Sequence, residues 1–426
     1  MRVSALPPSF VTPSTAAGTS NVAAIGLPFQ RWYNFKEAFT PRFVEEVIDS
    51  MPHDVKSCLD PFGGCGTTAL TCQFLGVAPT TIEVNPFLAD VIEAKLTRYD
   101  PDALASDRLS LRDRCGAAEV VLNKDAKYFP GAPETFVEPG QKDRWIFDTS
   151  VARRIAVYLD AIATVEHSGH RRLFRVLLGS VLIPVSNVVI SGKGRRYRSG
   201  WKNRCNRPED VDRLFAAAFQ KAYYDICRFA DTRRTGHTLL RGDSRAQIRN
   251  APPADLVLFS PPYPNSFDYT DIYNVELWAL GYLSTAAENR ALREATLRSH
   301  VQIKRDFADT DLGSQQLADT LARLRHSKAN LWNPHIPAMV SAYFADLIEI
   351  SKGACSVLRE HGQIVMVVGD SSYADVLIDV PQILREILPS AGLQVEEVRA
   401  VRSMRNSPQH GGVLALGESL VRAIPV

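Results

Sequence analysis

Ser260-Pro261-Pro262-Tyr263 is the segment of this 426-residue chain whose residue types point most directly to chemistry. It follows the apolar run from Ala254 to Phe259. A buried strand that stops at a hydroxyl, two prolines and a ring holds an acceptor and a flat π-face in one rigid loop. Such a loop suits gripping a planar group that carries an amine. Pro-Pro after a strand is also ordinary turn punctuation, so the tetrapeptide alone leaves both readings open.

A second segment, Asp60-Pro61-Phe62-Gly63-Gly64-Cys65-Gly66-Thr67-Thr68, lies between an expected strand over 55–60 and an expected helix over 69–75. Glycines there let the backbone approach a ligand, and the helix start offers unpaired N–H groups. A tight turn would use the same residues. A phosphate-binding loop needs a lysine before the threonine, and here Gly66 precedes Thr67 directly. A dinucleotide fingerprint needs a third glycine, and Ala69 stands in its place. A nucleoside without phosphates, S-adenosylmethionine (AdoMet), fits best because the loop carries no cation. Glu83 ends the next expected strand about twenty residues on, where an acid accepts both ribose hydroxyls or merely caps a helix. Asp243 ends a third strand and can accept from an adenine amino group or sit in a Gly242-Asp243 turn.

Taken together, these segments resemble the amino-group DNA methyltransferases. The glycine loop looks like their AdoMet-binding motif, and Ser260-Pro-Pro-Tyr like their catalytic motif, whose first position is Asp, Asn or Ser. The segment from Arg31 to Pro41 is similar to the one that lines the methionine end of AdoMet in that family. The resemblance covers roughly 30–97 and 237–425, with the AdoMet motif first. It implies a class I, Rossmann-like α/β fold with a seven-stranded sheet and AdoMet as cofactor. The cofactor residues would be Phe35, Thr40, Asp60 to Gly64, Gly66, Thr67, Thr68, Glu83, Asn85, Asp243 and Ser244. Ser260 Oγ and the Pro261 carbonyl would accept from the target amine, Pro262 would stiffen the loop, and Tyr263 would stack on a base flipped out of duplex DNA. Tyr269 and Tyr273 could wall the base pocket, whereas Trp278 reads as core. Ring-carbon methylation needs a cysteine nucleophile, usually in a Pro-Cys pair, and no such dipeptide occurs. Ser at the first motif position favours N4 of cytosine over N6 of adenine within that family.

Seven cations and no acid occur between Gly192 and Arg207. Lys193, Arg195, Arg196, Arg198, Lys202, Arg204 and Arg207 suit phosphates, and Tyr197 and Trp201 suit stacking. A solvated loop would look similar. A second basic region, 286–338, also carries acids, and Arg402, Arg405 and His410 form a possible third contact.

The elements that must position these residues follow an α/β rhythm. Strands are expected over 55–60, 79–84, 238–243, 255–259 and 362–370, with a closing antiparallel hairpin from 393–401 and 419–423. Residues 1–28, rich in Ser, Thr, Pro, Ala and Gly, read as a flexible arm. Residues 29–99 read as the AdoMet-binding part and 100–236 as a mostly helical insertion for DNA or target recognition. Residues 237–426 read as the catalytic part, with 286–338 as a second candidate recognition insert.

The composition is that of an ordinary soluble protein, with 45% hydrophobic and 23% charged residues. The formal charge of +2 requires any nucleic-acid contact to be local. The seven cysteines include no C-x-x-C pair, so neither a metal site nor a disulfide framework is expected. The absence of an apolar signal core or membrane-length run points to the cytoplasm. The expected partners are double-stranded DNA and a cognate restriction endonuclease or defence-system protein. An RNA or protein N-methyltransferase would share the Pro-Pro-Tyr loop, and a non-catalytic nucleic-acid-binding module would keep the fold alone.

Overall fold

The computed structural model describes residues 6–7, 10, 24–117, 128–191, 194–232, 235–265, 267–307, 310–404 and 416–426. Seven strands form one sheet: β1 (Ser57–Asp60), β2 (Ala78–Glu83), β3 (Thr238–Arg241), β4 (Ala254–Phe259), β5 (Leu358–Gly369), β6 (Leu393–Met404) and β7 (Leu416–Pro425). Their order is β6-β7-β5-β4-β1-β2-β3. The five strands from β5 to β3 run parallel, and β7 pairs antiparallel with both β5 and β6.

Both faces of the sheet are covered, which is why its central strands read as apolar runs. Along β4, Leu256 and Leu258 face helix α1 (Pro41–Asp49), packing with Phe43, Val44 and Val47. Val257 and Phe259 face the opposite side, where Met339, Val340, Tyr343 and Phe344 of a long helix over Ile336–Ser356 lie. Helix α2 (Thr67–Leu75) follows β1, and α3 (Pro86–Leu96) follows β2 with Pro86 at its first turn and Asn85 as its N-cap. The strand order turns back at β1, which has β4 on one side and β2 on the other. Ligands of parallel α/β sheets bind at such a switch point, beyond the carboxyl ends of the strands.

The insertion is helical as expected, with α4 (Pro101–Ala117), α5 (Thr149–Ala163), α6 (Ser168–Leu182) and α7 (Pro208–Arg228). It also holds a hairpin that strand periodicity did not reveal, Val188–Ser191 paired with Gly194–Tyr197. Its helices share one apolar cluster with α2 and α3, so the insertion packs onto the sheet domain through a common core.

Two expectations need correction. The first concerns the arm. Leu6 and Phe10 are fully enclosed, and Phe10 packs against Phe29, Phe74 and Phe229; an aromatic side chain with a ready pocket outweighs the polar composition around it. The second concerns 286–338, read in the sequence only as a basic region and candidate recognition insert, with no elements assigned to it. It contains helices over Ala286–Ala295 and Gln315–His326. Several of its arginines point inward. Arg298 is held by the fully buried Asp346, Arg293 by Asp268, and Arg305 donates to the carbonyls of Thr296 and Leu297. Ion pairs with buried carboxylates hold Arg293 and Arg298 in the fold, and backbone carbonyls hold Arg305.

Candidate active site

The loops that follow the adjacent strands β1 and β4 open into one cavity of about 360 Å³. One wall is the glycine loop. Glu83, at the end of β2, is 8% exposed and accepts from the backbone N–H of Gly64 at 2.7 Å and of Asn85 at 2.8 Å. These bonds use one lone pair on each oxygen and leave the carboxylate facing the cavity. Burial nevertheless raises Glu83 to about 7, and it raises Asp60 to about 6 against the opposing hydrogen bond from the Phe62 N–H. Phe35 closes this end. A Cβ on Gly64 would come within 3.1 Å of its ring, and Gly64 adopts φ of 53°. Phe35 is in turn stacked on Tyr273 at 5.4 Å.

Below the loop, Lys95 is fully buried and donates to the Cys65 carbonyl at 2.7 Å. Its single charge is turned to the loop's underside. The cavity face of the loop thus offers glycine backbone, a ring and a carboxylate.

The other wall is the loop after β4. Ser260, Pro261, Pro262 and Tyr263 all line the cavity, as do Tyr269 and Tyr273. Tyr263 donates to Glu418 Oε1 at 2.7 Å, and Ser260 Oγ lies 3.3 Å from Tyr263 Oη. Glu418 on β7 is buried and faces Arg402 on β6 as a direct cross-strand partner. Arg402 grips it with Nε at 2.8 Å and Nη2 at 3.1 Å. Burial, and then the Glu418 carboxylate, hold the Tyr263 phenol well above its ordinary range, so it stays neutral. Arg402 is a possible nucleic-acid contact in the sequence and Glu418 has no signal of its own there; the register of the hairpin pairs them.

Of the expected cofactor residues, Phe35, Asp60 to Gly64, Thr67, Thr68, Glu83, Asn85, Asp243 and Ser244 line the cavity. Thr40 does not; it N-caps α1 by accepting from the Phe43 N–H. Gly66 does not either. It takes φ of 79° as the N-cap of α2, and a Cβ there would meet Ile92 at 3.1 Å. Asp243 reaches the wall, but both its oxygens are held by Arg245, at 2.6 to 3.0 Å. Ser244 Oγ donates to the Pro61 carbonyl, tying the β3 turn to the glycine loop.

The basic segment lies beside this cavity and contributes nothing to its walls. Its hairpin packs against the short helix Tyr269–Ile272, which follows the Ser260-Pro-Pro-Tyr263 loop. Arg198 donates to the carbonyls of Ser186 and Ile183, and Arg204 to that of Pro184. Those bonds help to hold the loop's shape, and Arg204 remains exposed. Arg196, Lys202 and Arg207 are exposed. Arg195 is turned inward, with a buried Nη1, near Glu276. Tyr197 packs on Trp201 at 4.8 Å, and Trp201 meets Trp145 edge-on at 4.9 Å. Lys193, Arg405 and His410 lie outside the described residues.

The sheet order, with the antiparallel β7 between β5 and β6 and the crevice beyond β1 and β4, is the seven-stranded, Rossmann-like α/β arrangement expected from the sequence. No protein-family model matches the chain. It is similar to the Type II methyltransferase M.AvaI of Nostoc sp. (strain PCC 7120), 24% identical over 428 residues that span 90% of this chain and 83% of the relative. It is also similar to the Type II methyltransferase M.BsoBI of Geobacillus stearothermophilus, 22% identical over 89% of this chain and 82% of that one. Among solved structures, TrmN from Thermus thermophilus aligns with a TM-score of 0.28 and 9% identity over 91% of this chain and 48% of that one. The rRNA methyltransferase aviRa from Streptomyces viridochromogenes aligns at 0.29 and 12% identity over 90% and 85%. No helix among the described residues is long and apolar enough to cross a membrane.

Proposed function

We propose that the protein methylates the exocyclic N4 amine of cytosine in double-stranded DNA, after the base has been flipped from the helix. The observation that carries this reading is the shared cavity, in which the glycine loop and Ser260-Pro-Pro-Tyr263 face one another. The full-length similarity to two Type II methyltransferases supports DNA as the substrate and a cognate endonuclease or defence protein as the setting.

The cavity fits AdoMet. Glu83 would receive the ribose hydroxyls, Phe35 and the glycine backbone would flank the nucleoside, and Asp60 to Cys65 with Thr67 and Thr68 would line its length. When bound, AdoMet supplies an electrophilic methyl group. The chain's own task is to present an amine to it. That amine is a weak nucleophile because its lone pair is delocalised into the ring. Ser260 Oγ and the Pro261 carbonyl accept its two N–H bonds and favour a tetrahedral nitrogen. The two prolines fix the direction of that carbonyl. The Tyr263 ring gives the base a stacking face. Catalysis is then chiefly positioning and electrostatics.

The test is mass spectrometry of nucleosides from DNA incubated with the protein and labelled AdoMet. Label in 4-methylcytosine is expected. Label in 6-methyladenine would refute the base assignment and keep the enzyme. DNA that takes no label, with AdoMet unbound in calorimetry, would leave a non-catalytic module.

A further inference from the structure

Ser260 is a weaker acceptor than a carboxylate, and the structure contains a carboxylate one hydroxyl away. Tyr263 has a single O–H, and Glu418 takes it at 2.7 Å. An ionised carboxylate can only accept, so Tyr263 Oη can receive from Ser260 only as an acceptor. The Ser260 proton is thereby turned toward Tyr263, at 3.3 Å, and the free lone pairs of Oγ are turned toward the cavity. The first step is long for an O–H···O bond, as catalytic contacts often are before substrate arrives. The far end of the chain is fixed by Arg402, which holds both Glu418 oxygens from the neighbouring strand. Glu418 is buried, with the Arg402 guanidinium as its partner of opposite charge.

We propose that Ser260, Tyr263 and Glu418 form a proton relay that makes Ser260 act as a carboxylate at one remove, with Glu418 as the terminal base. The inference rests on the amine-methylation reading given above. As the amine lone pair bonds to the methyl carbon, the carbon–sulfur pair stays with the donor sulfur and the nitrogen is left with one proton too many. That N–H proton passes to Ser260 Oγ. The Ser260 proton passes to Tyr263 Oη, and the Tyr263 proton to Glu418 Oε1. The methylated amine ends neutral, both hydroxyls end as they began, and Glu418 ends as a carboxylic acid. Ser260 is the catalytic residue of this chain; Tyr263 Oη and Glu418 act through it. The Tyr263 ring keeps its separate stacking role.

The experiment measures single-turnover methylation of DNA by the wild type, Tyr263→Phe, Glu418→Gln and the double variant, with AdoMet and DNA affinities measured alongside. Tyr263→Phe keeps the ring and removes only the relay hydroxyl. Each single variant is expected to slow the rate constant by about 100-fold, the scale of general-base catalysis. Both affinities should stay at the wild-type level, which a merely structural defect would not achieve. The double variant should be no slower than the slower single one, because one broken link already interrupts the chain. Tyr263→Phe at the wild-type rate, or effects that multiply, would overturn the relay while leaving the amine-methylation reading intact. Wild-type protein that transfers no methyl group to DNA would overturn both. Where Glu418→Gln does not fold, Tyr263→Phe alone decides.

Discussion

Tyr263, in the loop after β4, gives its hydroxyl proton to Glu418 of β7 across 2.7 Å, although the two are separated by 155 residues. The bond fastens the catalytic loop to the antiparallel edge of the sheet. It also holds the ring in the cavity wall beside Ser260.

Replacing Tyr263 by Ala should therefore separate the two halves of the site. The hydrogen bonds of the Tyr263 hydroxyl run to Ser260 and Glu418, on the side of the cavity away from its cofactor half, built on Glu83 and the glycine loop. AdoMet affinity in calorimetry is expected to be unchanged. Turnover should fall by at least about 100-fold, from lost base stacking and loss of the hydroxyl together. Activity retained in Tyr263→Ala would contradict the stacking role.

The sheet was legible because its central strands β4 and β5 carry apolar runs bounded by Pro or Gly, and all seven strands lie close to their expected places. The catalytic and glycine loops were legible because proline and glycine restrict backbone conformation in ways that a sequence displays directly. Glu418 was not. It stands next to Gly417 one residue before the strand expected from Ser419, and a lone acid at a strand start reads as solvent-facing. Its meaning comes from register: β7 places it opposite Arg402 on one side and Gly369 on the other. The hairpin at 188–197 was missed for a related reason. Arginines replace the β-branched residues in its second strand, and pairing supplies what propensity does not. Lys95 likewise has no signal of its own in the sequence; the fold places its amine beneath Cys65.

Gly63 is required by packing. A Cβ there would lie 2.1 Å from Thr81 Cγ2 and 2.9 Å from Ile92 Cδ1. Both neighbours are buried. Gly63→Ala should cost about 1–3 kcal/mol, as overpacked cores do, and lower the melting temperature. Adding Thr81→Ser removes the nearer methyl and should recover part of the loss. A single variant as stable as the wild type would show that the loop can move away from β2.

The Glu83 carboxyl, raised by burial to about 7, gives two pH effects of opposite sign. Its folded value exceeds the ordinary 4.5. Its contribution to stability is thus fully present below the ordinary value and is lost as pH rises through about 7. Binding runs the other way, because ribose hydroxyls donate to the ionised form. AdoMet affinity should weaken as pH falls below about 7, approaching roughly tenfold per unit as the competent fraction shrinks. Calorimetry across this range reads it directly. Glu83→Gln should bind weakly and lose most of the pH dependence; an unchanged profile would move the ribose contact elsewhere.

The exposed cations of the basic segment should be separable from those that build it. Arg196 and Lys202 are exposed, next to a hairpin that packs on Tyr269–Ile272 beside the cavity. Their bonds lie at the surface, Arg196 to Ser191 and Lys202 to Asp143. Arg198 is half-buried and donates to two backbone carbonyls of the loop's base, at 3.0 and 3.2 Å. Each of Arg196→Ala and Lys202→Ala should weaken DNA binding at low salt and reduce the slope of log affinity against log salt by about 0.9, one released counterion per lost phosphate contact. Arg198→Ala should lower the melting temperature and, in protein that remains folded, leave that slope unchanged. Salt titrations of duplex binding distinguish these outcomes. Slopes unaffected by both exposed substitutions would take the phosphate contacts away from this hairpin and toward the 286–338 region. There Arg323 and Arg325 stand exposed at the end of the helix Gln315–His326, while Arg293 and Arg298 are already held by Asp268 and Asp346.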